Sequence, residues 1–324
     1  MKRFGWAVAL LAAGTALSGC ASTGGNGSGG TFPDSVDSIR LIVPFNAGGS
    51  TDAIARLVAP RLSTILDTPV QILNRPEGNG QTGLEEIATG PADGSVLGST
   101  NLPSAIMSYL DPNTSVRYDR DSFTPVAGVA QYGEMIVVSA SSPYQNLGDL
   151  LEAASVPRTL NLAAGAVDDL LPVTQFERAA GVEFNHVPFE GGSAGKVTAL
   201  LGRKVDVITA APNTVLPNVE SGDFRVLATL GGERTPTFPD TPTIREAGVD
   251  AQANVLTGYS LPENTPENIV IAYSDALQEI TEDPGFVDAV QATGFAVGFI
   301  GTPEFNDMWA SGEADAETVL DGTP

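Results

Sequence analysis

The stretch Ile39–Asp52, IRLIVPFNAGGSTD, decides how the rest of the chain is read. Its first five residues, Ile39 to Val43, form a short β-branched apolar run of the kind that lies buried in a parallel sheet. Pro44 ends the run, and Asn46 to Asp52 form a glycine-bearing turn. Ile54, Leu57, Val58, Leu62 and Ile65 then recur at helical spacing. Ser50 or Thr51 is placed to cap that helix, and Asp52 falls in its first turn, near the positive end of the helix dipole. Pro60 lies inside the predicted helix and should kink it or split it in two. Strand, glycine turn and helix make the unit of an α/β fold.

The unit repeats along the chain. Val70–Leu73 and Val96–Ser99 read as further strands, and a longer extended stretch from Val126 ends in Met135–Val138. After Pro143, strands at Leu160–Ala163, Phe184–Val187, Val205–Thr209 and Arg225–Leu230 alternate with helices at Leu147–Ala154, Leu170–Ala180, Ala194–Leu201 and Asn213–Val219. The tail from Pro266 reads as helical, over Ile269–Thr281, Gly285–Ala292 and Pro303–Leu320. Such alternation predicts parallel-rich sheets covered on both faces. The strands are too many for one small sheet, so two α/β lobes are expected.

Composition narrows the chemistry. The 324 residues include 39 acidic against 16 basic ones, a net charge of −23, which argues against a nucleic-acid partner. One Cys and one His exclude a disulfide framework and Cys/His metal sites, and no cofactor is predicted. Residues 1–19 have the proportions of a signal peptide, with Lys2 and Arg3 ahead of a short apolar run. The run ends in Leu17-Ser18-Gly19-Cys20, which resembles the lipobox of bacterial lipoproteins and makes Cys20 the lipid-bearing residue; the alternative is an ordinary cleaved signal with an incidental Cys. Residues 20–36, rich in Gly and Ser at first, read as a flexible tether. Loss of the leader removes two positive charges and no negative one, taking the charge from −23 to −25.

Several segments together resemble one family, the substrate-binding proteins of tripartite tricarboxylate transporters. Ile39–Asp52 is similar to its N-terminal signature, and Val70–Gly80 (VQILNRPEGNG) to its Asn-Arg-Pro segment. Pro91-Ala92-Asp93-Gly94, His186–Asp206 (HVPFEGGSAGKVTALLGRKVD) and Phe238–Gly248 (FPDTPTIREAG) resemble three further motifs, in the same order. The resemblance implies a two-lobe, type II periplasmic-binding (Venus-flytrap) fold. Residues 39–139 with 255–324 would form lobe 1 and residues 140–254 lobe 2, with a hinge of two crossing strands near Val137 and Tyr259. It implies a monomeric extracytoplasmic protein, anchored to the membrane by its lipid. Its ligand would be a small carboxylate (a di- or tricarboxylate, an aromatic acid or an acidic amino acid), and its partners membrane permease subunits.

The residues offer a physical rationale. A Gly-Gly turn that opens a helix exposes backbone N–H groups at a helix end carrying about half a positive charge. That is an anion site needing no basic side chain. Gly48-Gly49-Ser50-Thr51, with Asn46 and Asp52 beside them, and Gly191-Gly192-Ser193-Ala194 are two such turns. The plainer alternative is that glycine only relieves strain between strand and helix. Thr100 and Asn101 offer a hydroxyl and an amide at a strand's carboxyl end, or simply cap a loop. Thr214 either touches ligand or caps a helix. Where the family carries hydroxyls after the strand Leu160–Ala163, this chain has Gly165-Ala166-Val167-Asp168-Asp169. Asp168 and Asp169 either cap the next helix or set one carboxylate against a ligand ammonium. Two other classes of function compete. A ligand sensor coupled to a membrane kinase would use the same fold. A hydrolase would have to rely on His186, and Gly-Gly-Ser-Thr lacks the Lys of a phosphate-binding loop. The reading adopted is a non-enzymatic binding protein.

Overall fold

The structure is a computed structural model that describes residues 31–112, 114–164, 170–189 and 192–321. The leader, Cys20, the tether to residue 30, Gly165, Asp168, Asp169 and Gly191 lie outside the described residues.

Strand β1 (Ile39–Val43) alternates as its pattern requires. Ile39, Leu41 and Val43 join one core and Ile42 the other, all fully buried. Helix α1 (Ser50–Ile65) follows and runs unbroken through Pro60, so the expected split does not occur. Pro60 forfeits its own N–H bond, but Val58, Ala59 and Leu62 around it are buried in the core, and that packing holds the helix together. Strand β2 (Val70–Asn74), helix α2 (Gln81–Ala88), strand β3 (Val96–Leu102), helix α3 (Ser104–Leu110) and strand β4 (Phe123–Tyr132) complete the first passage.

From β4 the chain crosses into a second sheet. This contains β5 (Met135–Ser139), α4 (Leu147–Ala153), β6 (Asn161–Ala164), α5 (Leu170–Ala180), β7 (Asn185–Pro188), α6 (Gly192–Leu201), β8 (Val207–Ala210), α7 (Pro212–Glu220) and β9 (Phe224–Thr229). The chain then returns to the first sheet as β10 (Val255–Pro262), α8 (Glu267–Glu282), α9 (Pro284–Gln291), β11 (Ala296–Ile300) and α10 (Thr302–Asp321).

The strand orders are β11-β4-β10-β3-β1-β2 and β7-β6-β8-β5-β9. Both sheets are mixed. β1 pairs in parallel with β2 and β3, and β6 with β7 and β8. β10 and β11 run antiparallel to their neighbours, as does β5 between β8 and β9. Strand–helix alternation foretells the parallel half of each sheet. The antiparallel pairings of β5 in the second sheet and of β10 in the first come from the strands that follow the two crossings, with no helix between. In the first sheet, α1, α8 and α9 cover one face and α2, α3 and α10 the other, the latter burying Phe305 and Trp309 completely. In the second, Ile136 and Val138 face one core and Met135 and Val137 the other.

Two expectations are corrected. Val137 and Tyr259 do not mark the crossings: Val137 pairs with Ile208 and Val226 inside the second sheet, and Tyr259 with Ser99 and Ala127 inside the first. The chain crosses at Gly133-Glu134 and again between β9 and β10. There the Leu230 amide donates to the Glu134 carbonyl at 2.8 Å and the Ala253 amide to the Leu230 carbonyl at 2.8 Å. The predicted tether is also too long. Val36 packs on the core, and the Phe32 ring sits 5.0 Å from that of Tyr273, because two apolar side chains gain more from burial than from water.

The two crossings touch through glycines. A Cβ on Gly133 would lie 2.2 Å from the Gly231 nitrogen and 2.4 Å from its Cα. Gly133→Ala is therefore expected to lower unfolding stability by about 1–3 kcal/mol, as overpacking against backbone does. A urea-unfolding midpoint equal to that of the wild type would contradict this reading of the crossover.

Candidate functional site

The carboxyl ends of β1, β2 and β3 and the end of β7 open onto one cleft of about 110 Å³ between the two sheets. In an open α/β sheet this is where a ligand finds exposed backbone, beside the strand at which the order reverses. Pro44 to Ala47 and Gly49 to Thr51 contribute from β1, Asn79 and Gly80 from the loop after β2, and Asn101 and Ser104 from the end of β3. The second sheet supplies Phe189 and the start of α6, and the crossing segment supplies Tyr132, Glu134 and Val255.

The β1–α1 turn is built in detail. Gly48 adopts φ +82°, a left-handed conformation that glycine alone accepts without strain. Its amide donates to Asp52 Oδ2 at 2.8 Å, and the Gly49 amide donates to the Asn46 carbonyl at 3.2 Å. Gly49 is the residue that caps α1, with no side-chain cap, so neither Ser50 nor Thr51 plays the capping role expected of it. Ser50 Oγ lies 3.2 Å from the Tyr132 hydroxyl, and Thr51 Oγ1 accepts from Asn101 Nδ2 at 2.6 Å. The Ser50 and Thr51 amides begin the helix, have no carbonyl a turn earlier within it, and belong to residues that line the cleft.

Asp52 braces the turn from behind. It is 1% exposed, lies outside the cleft lining, and also accepts from Arg56 Nε at 2.8 Å and Asn74 Nδ2 at 3.0 Å. Burial pushes its carboxyl up, but the bonds from Arg56, the Gly48 amide and Asn74 together outweigh burial and hold it below the ordinary 3.8. Gly80, at φ +87°, seals the loop after β2 against this turn: a Cβ there would meet the Pro44 carbonyl oxygen at 2.4 Å.

On the opposite wall, Gly192, Ser193 and Ala194 at the start of α6 line the same cleft. Ser193 Oγ accepts from the Ala211 amide at 3.2 Å, tying the helix start to the end of β8. The structure thus brings together Asn46, Gly49, Ser50, Thr51, Asn101, Gly192, Ser193 and Ala194. It sets apart Gly48 and Asp52, which shape the turn from behind. Thr100 is also set apart, its hydroxyl buried 2.7 Å from that of Ser260. Thr214 donates to the Ala211 carbonyl at 2.7 Å inside the first turn of α7, a bond back along its own helix, and α7 has no side-chain cap.

The anion site was read as needing no basic side chain, and the cleft nevertheless holds one. Lys196, 1% exposed, lines it with Nζ 3.6 Å from Oε1 of Glu134, itself 6% exposed. Lys196 had a signal in the sequence: it stands one helical turn after Gly192, on the same face. Glu134 and Tyr132 had none, because they reach the cleft only through the crossover. His186 is outside the cleft lining and shares Oε1 of Glu177, at 3.0 Å, with the Phe184 amide. It joins α5 to β7 as a structural residue.

Comparison with known proteins agrees with the two-sheet fold. A family model described as the tripartite tricarboxylate transporter family receptor matches residues 54–310. The UPF0065 protein in the gbd 5' region of Cupriavidus necator is 30% identical over 284 residues, covering 86% of this chain and 85% of its own. Protein BugT of Bordetella pertussis is 30% identical over 272 residues, 82% of each chain. Among solved structures, an R. palustris protein with adipate superposes with a TM-score of 0.80 at 27% identity, over 88% of this chain and 96% of that one.

The Asp52 brace yields a pH signature. A carboxylate whose folded pKa lies below its unfolded 3.8 stabilises the fold above that value, and loses the contribution as pH falls through the folded pKa. Asp52→Asn is expected to unfold at lower urea than the wild type near neutral pH, with the gap narrowing below about pH 4. A gap of constant size down to acid pH would show that the carboxylate charge is not what holds the turn.

Proposed function

The chain belongs to the tripartite tricarboxylate transporter receptor family, and from that premise we propose that it captures a small carboxylate outside the cytoplasm and presents it to membrane permease subunits. The observation that carries this reading is the meeting of two helix starts, at Ser50-Thr51 and at Gly192-Ser193-Ala194, on one cleft between two sheets. Each start draws negative charge through its amides and dipole. A carboxylate in reach of both gains charge-assisted hydrogen bonds worth roughly 1.5–3 kcal/mol each. A few of them supply the ~8 kcal/mol of a micromolar site after ordering costs. The solved relative with adipate is a precedent for such a ligand.

Size supports the class as well. The cleft's 110 Å³ is well above what one water needs, so it has room for a small organic acid. In the proposed cycle, the first sheet with its helices moves as one lobe against the second sheet, β5 to β9, with its helices, and ligand favours the closed arrangement because only there does it touch both helix starts. Among the described residues no helix is long and apolar enough to cross a membrane. Lipid on Cys20 would then keep the protein at the membrane, each buried CH₂ adding ~0.8 kcal/mol.

A thermal-shift screen of the full chain tests the reading. At 100 times its dissociation constant a bound acid should add ~2.7 kcal/mol of stability, seen as a raised melting temperature. Succinate, malate, adipate, citrate, benzoate, aspartate and glutamate form the panel, with neutral sugars as controls. Ala194→Trp, which fills the cleft, should melt normally and lose the shift. A panel in which sugars shift the melt and no carboxylate does would refute the assignment.

A further inference from the structure

Outside the cleft the two halves of the molecule meet again. The loop between α9 and β11 carries Gly294 and Phe295, and Phe295 is fully buried in the core that the first sheet shares with α1, α8 and α9. Against this loop lie Pro212, which opens α7, and Thr235 and Thr237, which follow β9. These belong to the other half: Val215 of α7 and Phe238, next to Thr237, both pack in a core of the second sheet. A Cβ placed on Gly294 would fall 2.5 Å from Thr237 Oγ1, 2.7 Å from Pro212 Cβ and 3.1 Å from Thr235 Cγ2, so a side chain has no room there. Ala211, just ahead of Pro212, is fully buried within the first sheet's core. None of these residues lines the cleft.

The contact nevertheless adjoins both of its walls. Phe295 stacks on Tyr132 with ring centroids 4.3 Å apart, and Tyr132 lines the cleft. Ala211 donates its amide to Ser193 at the start of α6. Opposed effects act at this contact. Burial of Ala211 favours it, as apolar packing does. The Thr237 hydroxyl opposes it, because Oγ1 is buried against Gly294 without a hydrogen-bond partner among the described residues. An unpaired buried hydroxyl destabilises the arrangement that buries it.

We propose that Gly294, seated against Pro212, Thr235 and Thr237, sets how far the two halves close and thereby how tightly the cleft holds its ligand. The absence of a side chain at Gly294 lets the halves come together, and separating them returns the Thr237 hydroxyl to water. The arrangement described here has both helix starts on one cleft, and it is the one that ligand selects. Apparent affinity scales with the fraction of molecules already in the competent arrangement, so a residue that never touches ligand changes affinity by changing that fraction. The inference rests on the closing motion proposed above and names the positioning residues that tune it.

Two substitutions of opposite effect test it in the full chain. Thr237→Val keeps the shape and removes the unpaired hydroxyl. Its ligand-free radius of gyration, from small-angle scattering, should fall. Adipate, the acid named with a solved relative, should bind about fivefold tighter by calorimetry, the lower end of the cost of an unpaired buried group. Gly294→Asn acts in reverse, since Asn accepts the left-handed backbone at φ +84° yet brings a Cβ into the contact. Its radius should rise and adipate should bind about fivefold or more weakly, as overpacking of the seated arrangement predicts. A purely structural role would move the unfolding midpoints of both variants and leave radius and affinity unchanged, which overturns the proposal. Shifts of both variants in one direction overturn it too. Should Gly294→Asn fail to fold, the two readouts on Thr237→Val decide. Failure of the wild type to bind adipate counts against the carboxylate reading alone, and scattering then decides the contact: opposite shifts in radius support it, and equal radii overturn it.

Discussion

The first amides of a helix have no carbonyl within that helix to bond, and here two helices start on one cleft. Much of the first sheet's architecture can be understood as serving that circumstance. The β1–α1 turn needs Gly48 in a left-handed conformation. It is then held by the carboxylate of Asp52, which takes the Gly48 amide, Arg56 and Asn74 at once. With the glycine amides engaged inside the turn and no side chain capping α1, the amides that follow at Ser50 and Thr51 begin at the cleft wall. Gly80 against Pro44 closes the neighbouring loop onto this turn, leaving no room for a side chain between them.

The second half of the site depends on how the chain passes between sheets. Two passages meet where Gly133 and Gly231 approach so closely that neither tolerates a bulkier residue without movement. That contact places the carboxyl ends of β1 to β3 opposite the start of α6. It also carries Tyr132 and Glu134 into the cleft from a segment with no motif of its own. The antiparallel strands β4 and β10 belong to the same arrangement, since they carry the chain towards and away from the crossing.

Charge adds a second layer. The chain carries a net −23, so its surface repels anions at long range, though physiological salt screens that field beyond about 8 Å. The proposed capture of an acid would rely on short-range features, the helix starts and hydroxyls of the cleft. At short range these act more strongly than the distant surface charges do.

Much of this was legible in the sequence. The β-branched run Ile39–Val43, the Gly-Gly turn and the apolar spacing from Ile54 announced β1, its turn and α1, because each is a local pattern with a local cause. The α6 start was legible for the same reason. Local reading misjudged Pro60, whose helix survives on tertiary packing, and Ser50 and Thr51, whose hydroxyls find Tyr132 and Asn101 in preference to the helix end. It left Thr100 and Thr214 open between ligand and a structural role and placed Asp52 beside the ligand turn, and all three have partners inside the fold. By itself, then, the order of residues determined which segments become strands and helices and where their unsatisfied amides fall, since those follow from neighbours a few positions apart. Only the tertiary structure decided that the two helix starts share a cleft, and that Glu134 and Lys196, 62 positions apart in the chain, face each other in its wall. Burial and hydrogen bonding between distant segments choose those partners, and no spacing along the chain encodes them.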